Sequence, residues 1–254
     1  MKRMLLLLVI VLSGTQLFAK QNIVPETKEN LKEDRNFKIP LIGESAPAFT
    51  AESTNGTINF PADYGRKWKL LFSHPQDFTP VCSTEILELA YLQDEFEKLG
   101  VKICVISADK LETHKDWKEA LEKVSLYDRK PVKIKFPLID DKDIVVSKLY
   151  GMIHPETNTT KSVRGVFIID PDNIIQAIYF YPMKVGRNTS ELLRMILALQ
   201  LSAADKVMTP ANWKPGNDVL IPNHPDMDEN NQTALEKVYY NPAWFLWFKK
   251  TIPE

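Results

Sequence analysis

The stretch "WKLLFSHPQDFTPVCSTEILELAYLQDEFEKLGVKICVIS" (residues 68–107) decides how the chain folds. Its opening, "WKLLFSH" (68–74), is a short apolar run of the kind that forms a strand buried on both faces, and Pro75 stops it. From Pro80 to Leu99 the period changes. Ile86, Leu89, Leu92, Phe96 and Leu99 recur every three or four residues, with Glu85, Glu88, Asp94, Glu95 and Glu97 between them. That is the pattern of a helix with one apolar face. Thr79 stands where an N-cap belongs, and Pro80 where a first helical residue can lack its N–H. Gly100 is placed to end the helix. "VKICVIS" (101–107) then reads as a second strand. Strand, helix and strand predict a βαβ unit with both strands parallel in one sheet.

Working outward, "KLETHKDWKEALEKV" (110–124) predicts a further helix, "FPLID" (136–140) a short strand and "VVSKLYG" (145–151) a short helix ended by glycine. "SVRGVFIID" (162–170), the turn "DPDN" and "IIQAIYF" (174–180) read as a hairpin, and "SELLRMILALQLSAA" (190–204) as an amphipathic helix. The fold class is therefore α/β, a mixed sheet flanked by helices. After residue 205 the character shifts. "MTPANWKPGNDVLIPNHPD" carries Pro210, Pro215, Pro222 and Pro225, too many for regular structure, and reads as an extended arm. The end, "YYNPAWFLWFKK" (239–250), is aromatic and is expected to pack on the main domain or on a partner subunit.

The chain has 254 residues, 44% hydrophobic and 26% charged, enough to bury a core without disulfide staples. Its 32 basic and 33 acidic residues nearly cancel, and no basic run stands out, which argues against nucleic acid as a partner. Lys2 and Arg3, the apolar "MLLLLVIVL" (4–12) and "SGTQLFA" up to Ala19 have the layout of a secretory signal peptide, although Leu17 sits where a small residue is preferred. The apolar run is too short for a stable membrane span. The expectation is cleavage near Ala19 and export, periplasmic or secreted, with a cytoplasmic location as the alternative. Cleavage removes Lys2 and Arg3 and takes the net charge from −1 to −3. The expected organisation is a signal peptide (1–19), a polar lead-in (20–42), the α/β domain (43–204) and the C-terminal arm (205–254).

The chain has two cysteines. Cys82 falls in the first turn of its helix, where unpaired N–H groups and the positive end of the dipole favour an anion, and such placement activates a thiol. It also lies beyond the C-terminal end of a strand, where α/β active sites collect. Pro75 and Pro80 stiffen the approach, and the Thr79 hydroxyl can donate and accept a hydrogen bond. Cys104 lies mid-strand, three residues and about 10 Å from the active end. A disulfide needs Cα atoms within about 7 Å, so Cys104 reads as a core residue. His114, His154 and His224 have no ligand spacing with one another or with the cysteines, so no metal site is assigned.

"PQDFTPVC" fits the peroxiredoxin pattern of proline, three residues, threonine, two residues and cysteine on Pro75, Thr79 and Cys82. "FSHPQDFTPVCSTE", "YPMKVGRNTSELLRM" and "TPANWKPGNDV" make the chain similar to the one-cysteine subfamily of peroxiredoxins, in the AhpC/TSA group, from about Gly43 through the arm. The resemblance implies a thioredoxin-like fold with a C-terminal extension often swapped in a homodimer. It also implies reduction of hydrogen peroxide and organic hydroperoxides by an external thiol, without metal or cofactor. Cys82 would be the nucleophile that becomes a sulfenic acid. Thr79 would hold the peroxide, Pro75 would shape and shield the pocket, and Arg164 would stabilise the thiolate and the developing oxygen charge. Arg187 resembles a second arginine near the family site, His74 a histidine that hydrogen-bonds near the pocket, and Glu85 a glutamate that orients groups there. Read without the resemblance, Arg164 is a surface ion pair, Arg187 a solvated turn residue, His74 a satisfied histidine at a strand end and Glu85 a carboxylate helped by the helix dipole. Two other classes compete. A thiol–disulfide oxidoreductase needs C-x-x-C, which "CSTE" does not supply. A non-enzymatic oligomeric holdase would use the aromatic tail as its surface.

Overall fold

A computed structural model describes residues 38–225 and 232–251. The signal peptide, its cleavage point and most of the lead-in lie outside the described residues.

The βαβ unit forms as the pattern predicts: β3 (Trp68–Ser73), α1 (Pro80–Lys98) and β4 (Val101–Ser107). They follow β1 (Phe49–Ala51) and β2 (Ile58–Phe60), a small antiparallel hairpin. Then come α2 (Leu111–Leu121), β5 (Leu138–Asp140), α3 (Val145–Leu149), β6 (Arg164–Ile169), β7 (Ile175–Tyr181) and α4 (Thr189–Asp205). The central sheet has the order β5-β4-β3-β6-β7. β3, β4 and β5 run parallel, whereas β6 is antiparallel to β3 and β7 to β6. The sheet is therefore mixed and flanked by helices, as the sequence reading expected.

β3 is buried on both sides because successive side chains alternate faces. Leu70 and Phe72 join a core with Ile86, Leu89 and Phe96 of α1, Trp117 and Leu121 of α2, and Leu192 and Ile196 of α4. Leu71 points the other way, into a second core with Phe60, Val146, Tyr150 and Phe167. Burying each such side chain is worth about 1.5–3 kcal/mol. The helix ends at Leu99, and Gly100 follows with φ +70, the left-handed turn that glycine adopts without Cβ strain.

The C-terminal arm forms, and its proline-rich part holds one short strand where no regular structure was expected. β8 (Val219–Leu220), α5 (Gln232–Val238), β9 (Tyr239–Ala243) and β10 (Leu246–Lys249) form, and the strands make a second sheet of order β8-β10-β9. Pro210, Pro215, Pro222 and Pro225 lie outside β8, so their missing N–H groups cost it no ladder bond. Trp213 anchors the arm. It is buried with Ala198 of α4, Val207 and Val219, and its indole N–H donates to the Asn217 carbonyl at 3.0 Å. Of the aromatic end, Tyr240 and Phe248 stack across the hairpin at 5.0 Å. Trp244 and Phe245, at its turn, are 86% and 70% exposed. Among the described residues no helix is long and apolar enough to cross a membrane.

Candidate active site

α1 begins where the sequence placed it, with Thr79 in extended geometry at the N-cap and Pro80 in the first turn. One detail differs. The Thr79 side chain makes no cap bond; its hydroxyl donates to the Gln76 carbonyl at 2.8 Å. The loop before it is tight enough to fold the hydroxyl back on itself, and Phe78 there takes φ +54. That conformation costs a non-glycine residue about 1–2 kcal/mol, so something must hold the loop.

Asp77 does so. Its backbone N–H donates to Asp109 Oδ2 at 2.8 Å, and Ser107 Oγ donates to the same oxygen at 2.8 Å. Its carboxylate lies between two buried histidines, His74 Nε2 at 2.7 Å from Oδ1 and His114 Nδ1 at 2.7 Å from Oδ2. His114 Nε2 also faces the Ile139 carbonyl at 3.0 Å. With an acceptor at each nitrogen, the partners assign His114 as doubly protonated against the Asp77 carboxylate. Burial works against that charge, but the hydrogen bond and charge of Asp77 win and raise the His114 pKa. Burial would likewise raise the Asp77 carboxyl, and its bonds to His114 and His74 hold it below the ordinary value. His74 is lowered by burial, against the pull of Asp77, so it donates from Nε2 as a neutral ring. His74, Asp77 and Asp109 have ligand-capable atoms within 4.8 Å of one another, a cluster the histidine spacing did not reveal. Its carboxylate oxygens are already taken up by N–H and O–H donors, and we read it as the clamp of the loop. His74 thus follows β3 bound to Asp77, and its Nδ1 has no hydrogen-bond partner among the described residues.

Cys82 is fully buried. Its Sγ receives Arg164 Nη1 at 3.3 Å, and the same nitrogen donates to Glu85 Oε2 at 2.7 Å. Arg164 opens β6, which lies antiparallel beside β3 with Phe72 opposite Val166, so the register carries its guanidinium to the start of α1. Its Nε and Nη2 both donate to the Met183 carbonyl, Nε at 3.0 Å. Glu85, one turn along α1 from Cys82, is bound again by Arg187. Nε and the backbone N–H reach Oε1 at 2.8 Å, and Nη2 reaches Oε2 at 2.7 Å. Arg187 Nη1 donates to the Gly165 carbonyl at 2.9 Å, and its guanidinium lies over the Phe72 ring, 3.3 Å from the centroid.

The plain alternatives for the two arginines do not hold. Arg164 and Glu85 are each 2% exposed and Arg187 7%, so Arg164 is not a surface ion pair nor Arg187 a solvated turn residue, and Glu85 is paired with both arginines in addition to any help from the helix dipole. Burial alone would raise the Glu85 carboxyl, but the hydrogen bonds and charge of Arg187, with the charge of Arg164, hold it low. Two guanidinium groups then face one carboxylate. The buried cluster therefore carries one surplus positive charge beside the Cys82 sulfur.

The cleft that reaches this group is about 270 Å³, with Pro75, Thr79, Val81, Arg164 and Met183 among its lining. Cys104 is elsewhere. It pairs in register with Leu71 and belongs to the second core, on the opposite face of the sheet from Cys82. Burial pushes its thiol up to about 12. Asp77, Asp109, His114 and Met183 were missed in the sequence, because contacts between distant loops leave no spacing signal. Met183 acts through a carbonyl that any residue would supply.

A thiol beside a fixed guanidinium, at the start of a helix that crosses a mixed α/β sheet, defines a thiol-based redox enzyme. Comparison with known proteins narrows the class. Residues 42–178 match the AhpC/TSA family model and residues 198–237 the C-terminal domain of 1-Cys peroxiredoxin. The chain is 49% identical over 215 residues to a peroxiredoxin of Methanosarcina mazei, covering 84% of this chain and 98% of that one. It superposes on a yeast mitochondrial 1-Cys peroxiredoxin, studied for thiol resolving via glutathione/thioredoxin systems, with TM-score 0.70, 40% identity and coverage of 83% and 99%. A mutant of peroxiredoxin 6 of Arenicola marina gives TM-score 0.73, 34% identity and coverage of 84% and 99%. The chain belongs to the peroxiredoxin family, and it is a thiol-dependent peroxidase.

Proposed function

We propose that Cys82 is the nucleophile of a one-cysteine peroxidase cycle and that Thr79, Arg164, Glu85, Arg187 and Pro75 build its site. The observation that carries this is the 3.3 Å contact between Arg164 Nη1 and Cys82 Sγ inside a charge cluster that lacks one negative charge. The Cys82 thiolate attacks one peroxide oxygen. The O–O bond breaks, the other oxygen leaves with the electron pair as an alkoxide or hydroxide and takes a proton, and Cys82 becomes a sulfenic acid. Donors fixed where charge develops lower the barrier, and Arg164 is such a donor. Thr79 spends its proton on the Gln76 carbonyl, which leaves its oxygen free to accept the peroxide O–H. Pro75 is buried in the cleft wall, where it excludes water.

An external thiol completes the cycle. It condenses with the sulfenic acid to a mixed disulfide and water, and a second thiol releases Cys82 and carries away the disulfide. Cys104, on the other face of the sheet, takes no part. The exposed Trp244 and Phe245 of the arm make the β9–β10 turn the surface for a second copy in a homodimer, which sedimentation analysis tests. The N-terminal segment directs export, and an intact Met1 on the native protein would count against that. The enzymatic reading is tested by peroxide consumption with excess dithiothreitol. Wild type consumes peroxide, whereas Cys82→Ser consumes none above background; equal rates would overturn the assignment.

A further inference from the structure

We propose that Lys161 and Lys184 make the mouth of the Cys82 cleft a carboxylate-recognising subsite, so that one co-substrate of the peroxidase is a small anionic molecule. The inference rests on the peroxidase reading and adds a substrate class to it. Among the described residues the cleft lining includes three cations, Lys161, Arg164 and Lys184, and no acidic residue. The rest of the wall is largely apolar, with Pro75, Pro80, Val81 and Met183. At about 270 Å³ the cleft is many times larger than hydrogen peroxide requires, since a water needs only about 10–15 Å³ of such space.

The deeper charges are already settled. Arg164 and Arg187 share the Glu85 carboxylate, and Arg164 also lies against the Cys82 sulfur, so the deeper site has no carboxylate to spare for a lysine at the rim. Neither lysine has a carboxylate partner within ion-pair distance among the described residues. Lys161 is held in place all the same. Its ammonium donates to the Gln76 side-chain oxygen, and the Gln76 carbonyl accepts from Thr79, so its position is tied to that of the site threonine. Lys184 follows Met183, whose carbonyl receives two N–H groups of Arg164, so its backbone is tied to the site arginine. An ammonium on a four-carbon stem keeps two further donors and its full charge for an incoming anion. The chemistry recognised is therefore a carboxylate on a short apolar body, with the reacting oxygen or sulfur at the inner end.

Two sources offer that chemistry, an organic hydroperoxide bearing a carboxylate and a carboxylate-bearing thiol that reduces the sulfenic acid. The full chain and its Lys161→Gln, Lys184→Gln and Lys161→Glu/Lys184→Glu variants separate them. In one arm, Cys82 oxidation is timed with 4-hydroperoxy-4-methylpentanoate, a tertiary alkyl hydroperoxide on a short acid chain, and with its methyl ester. In the other, Cys82 sulfenic acid is formed with hydrogen peroxide and its reduction is timed with mercaptopropionate and with its methyl ester. The acid-to-ester rate ratio in one arm falls about two- to fivefold for each neutralised lysine, as partly exposed ion pairs allow. It falls further in the double reversal, and added salt erodes the wild-type ratio. The arm in which this occurs identifies the source. Ratios unchanged in both arms by the double reversal would overturn the subsite. Failure of wild-type Cys82 to react with hydrogen peroxide would instead overturn the peroxidase reading, and the subsite with it.

Discussion

Arg164 Nη1 lies 3.3 Å from Cys82 Sγ while bonded to Glu85 Oε2 at 2.7 Å, so the guanidinium that serves the sulfur is itself aimed by a carboxylate. The two remaining donor nitrogens of Arg164 are spent on the Met183 carbonyl. Nothing in this arrangement needs to move before a charge develops at the sulfur or at the leaving oxygen.

Replacing that donor tests its role. Arg164→Met is expected to slow Cys82 oxidation by hydrogen peroxide by about 10²–10³, the usual cost of losing one donor at a developing oxyanion. Arg164→Lys recovers only part of it, because one ammonium cannot span Met183, Glu85 and Cys82 together. Single-turnover oxidation followed by tryptophan fluorescence checks both variants.

Glu85 is the counter-ion of two buried arginines, and Glu85→Gln leaves both uncompensated. The expected loss of stability is about 3–5 kcal/mol, the cost of breaking a buried pair from one side. Glu85 is held below its ordinary value, so its contribution is present above the unfolded carboxylate pKa and is lost as pH falls through the lower folded value. Asp77 behaves in the same way. The acid limb of the stability curve, measured by urea melts, is therefore shallower in Glu85→Gln than in wild type.

Asp77→Asn removes the shared partner of His74 and His114 and strands the His114 charge. His114 is raised in the folded state, so its stabilisation is complete below the unfolded histidine pKa and fades as pH rises through the folded value. The variant loses this alkaline decline, and the strained turn at Phe78 is released. Urea melts from neutral to mildly alkaline pH check the slope. A slope equal to that of wild type would remove His114 from the clamp.

Cys104→Ala separates packing from chemistry. Its cost is about 1 kcal/mol, typical of a modest core substitution, and turnover with dithiothreitol stays within about twofold of wild type, the shift expected when a substitution falls outside the reacting groups. With its thiol pushed up to about 12, Cys104 has almost no thiolate at neutral pH and resists iodoacetamide until the protein unfolds. Loss of turnover in a folded Cys104→Ala variant would contradict the one-cysteine cycle.

Much of this architecture is legible in the sequence because it is written in local patterns. The apolar run 68–74, the three-to-four spacing from Ile86 to Leu99 and the flanking Thr79, Pro80 and Gly100 specify strand, helix and caps over a few residues each. Cys82 is legible for the same reason, since its place in the first turn follows from Pro80. The clamp of Asp77 on His74 and His114 is not legible, because the partners lie 3 and 37 residues away and meet only after β3, β4 and α2 pack. Within the arm only β8 is missed, because Pro215 and Pro222 mark where a strand cannot run but not the short stretch between them where one can. Thr79 fits the N-cap position by residue type, yet the turn at Phe78 sends its hydroxyl to Gln76 instead.

The central claim is that Cys82 works alone, and one measurement tests it most directly. The full chain is treated with one equivalent of hydrogen peroxide in the presence of a sulfenic-acid trap, and both cysteines are mapped by peptide mass spectrometry. The expected result is the trap on Cys82, with Cys104 remaining a free thiol. A Cys82–Cys104 disulfide, or a trap found chiefly on Cys104, would contradict it.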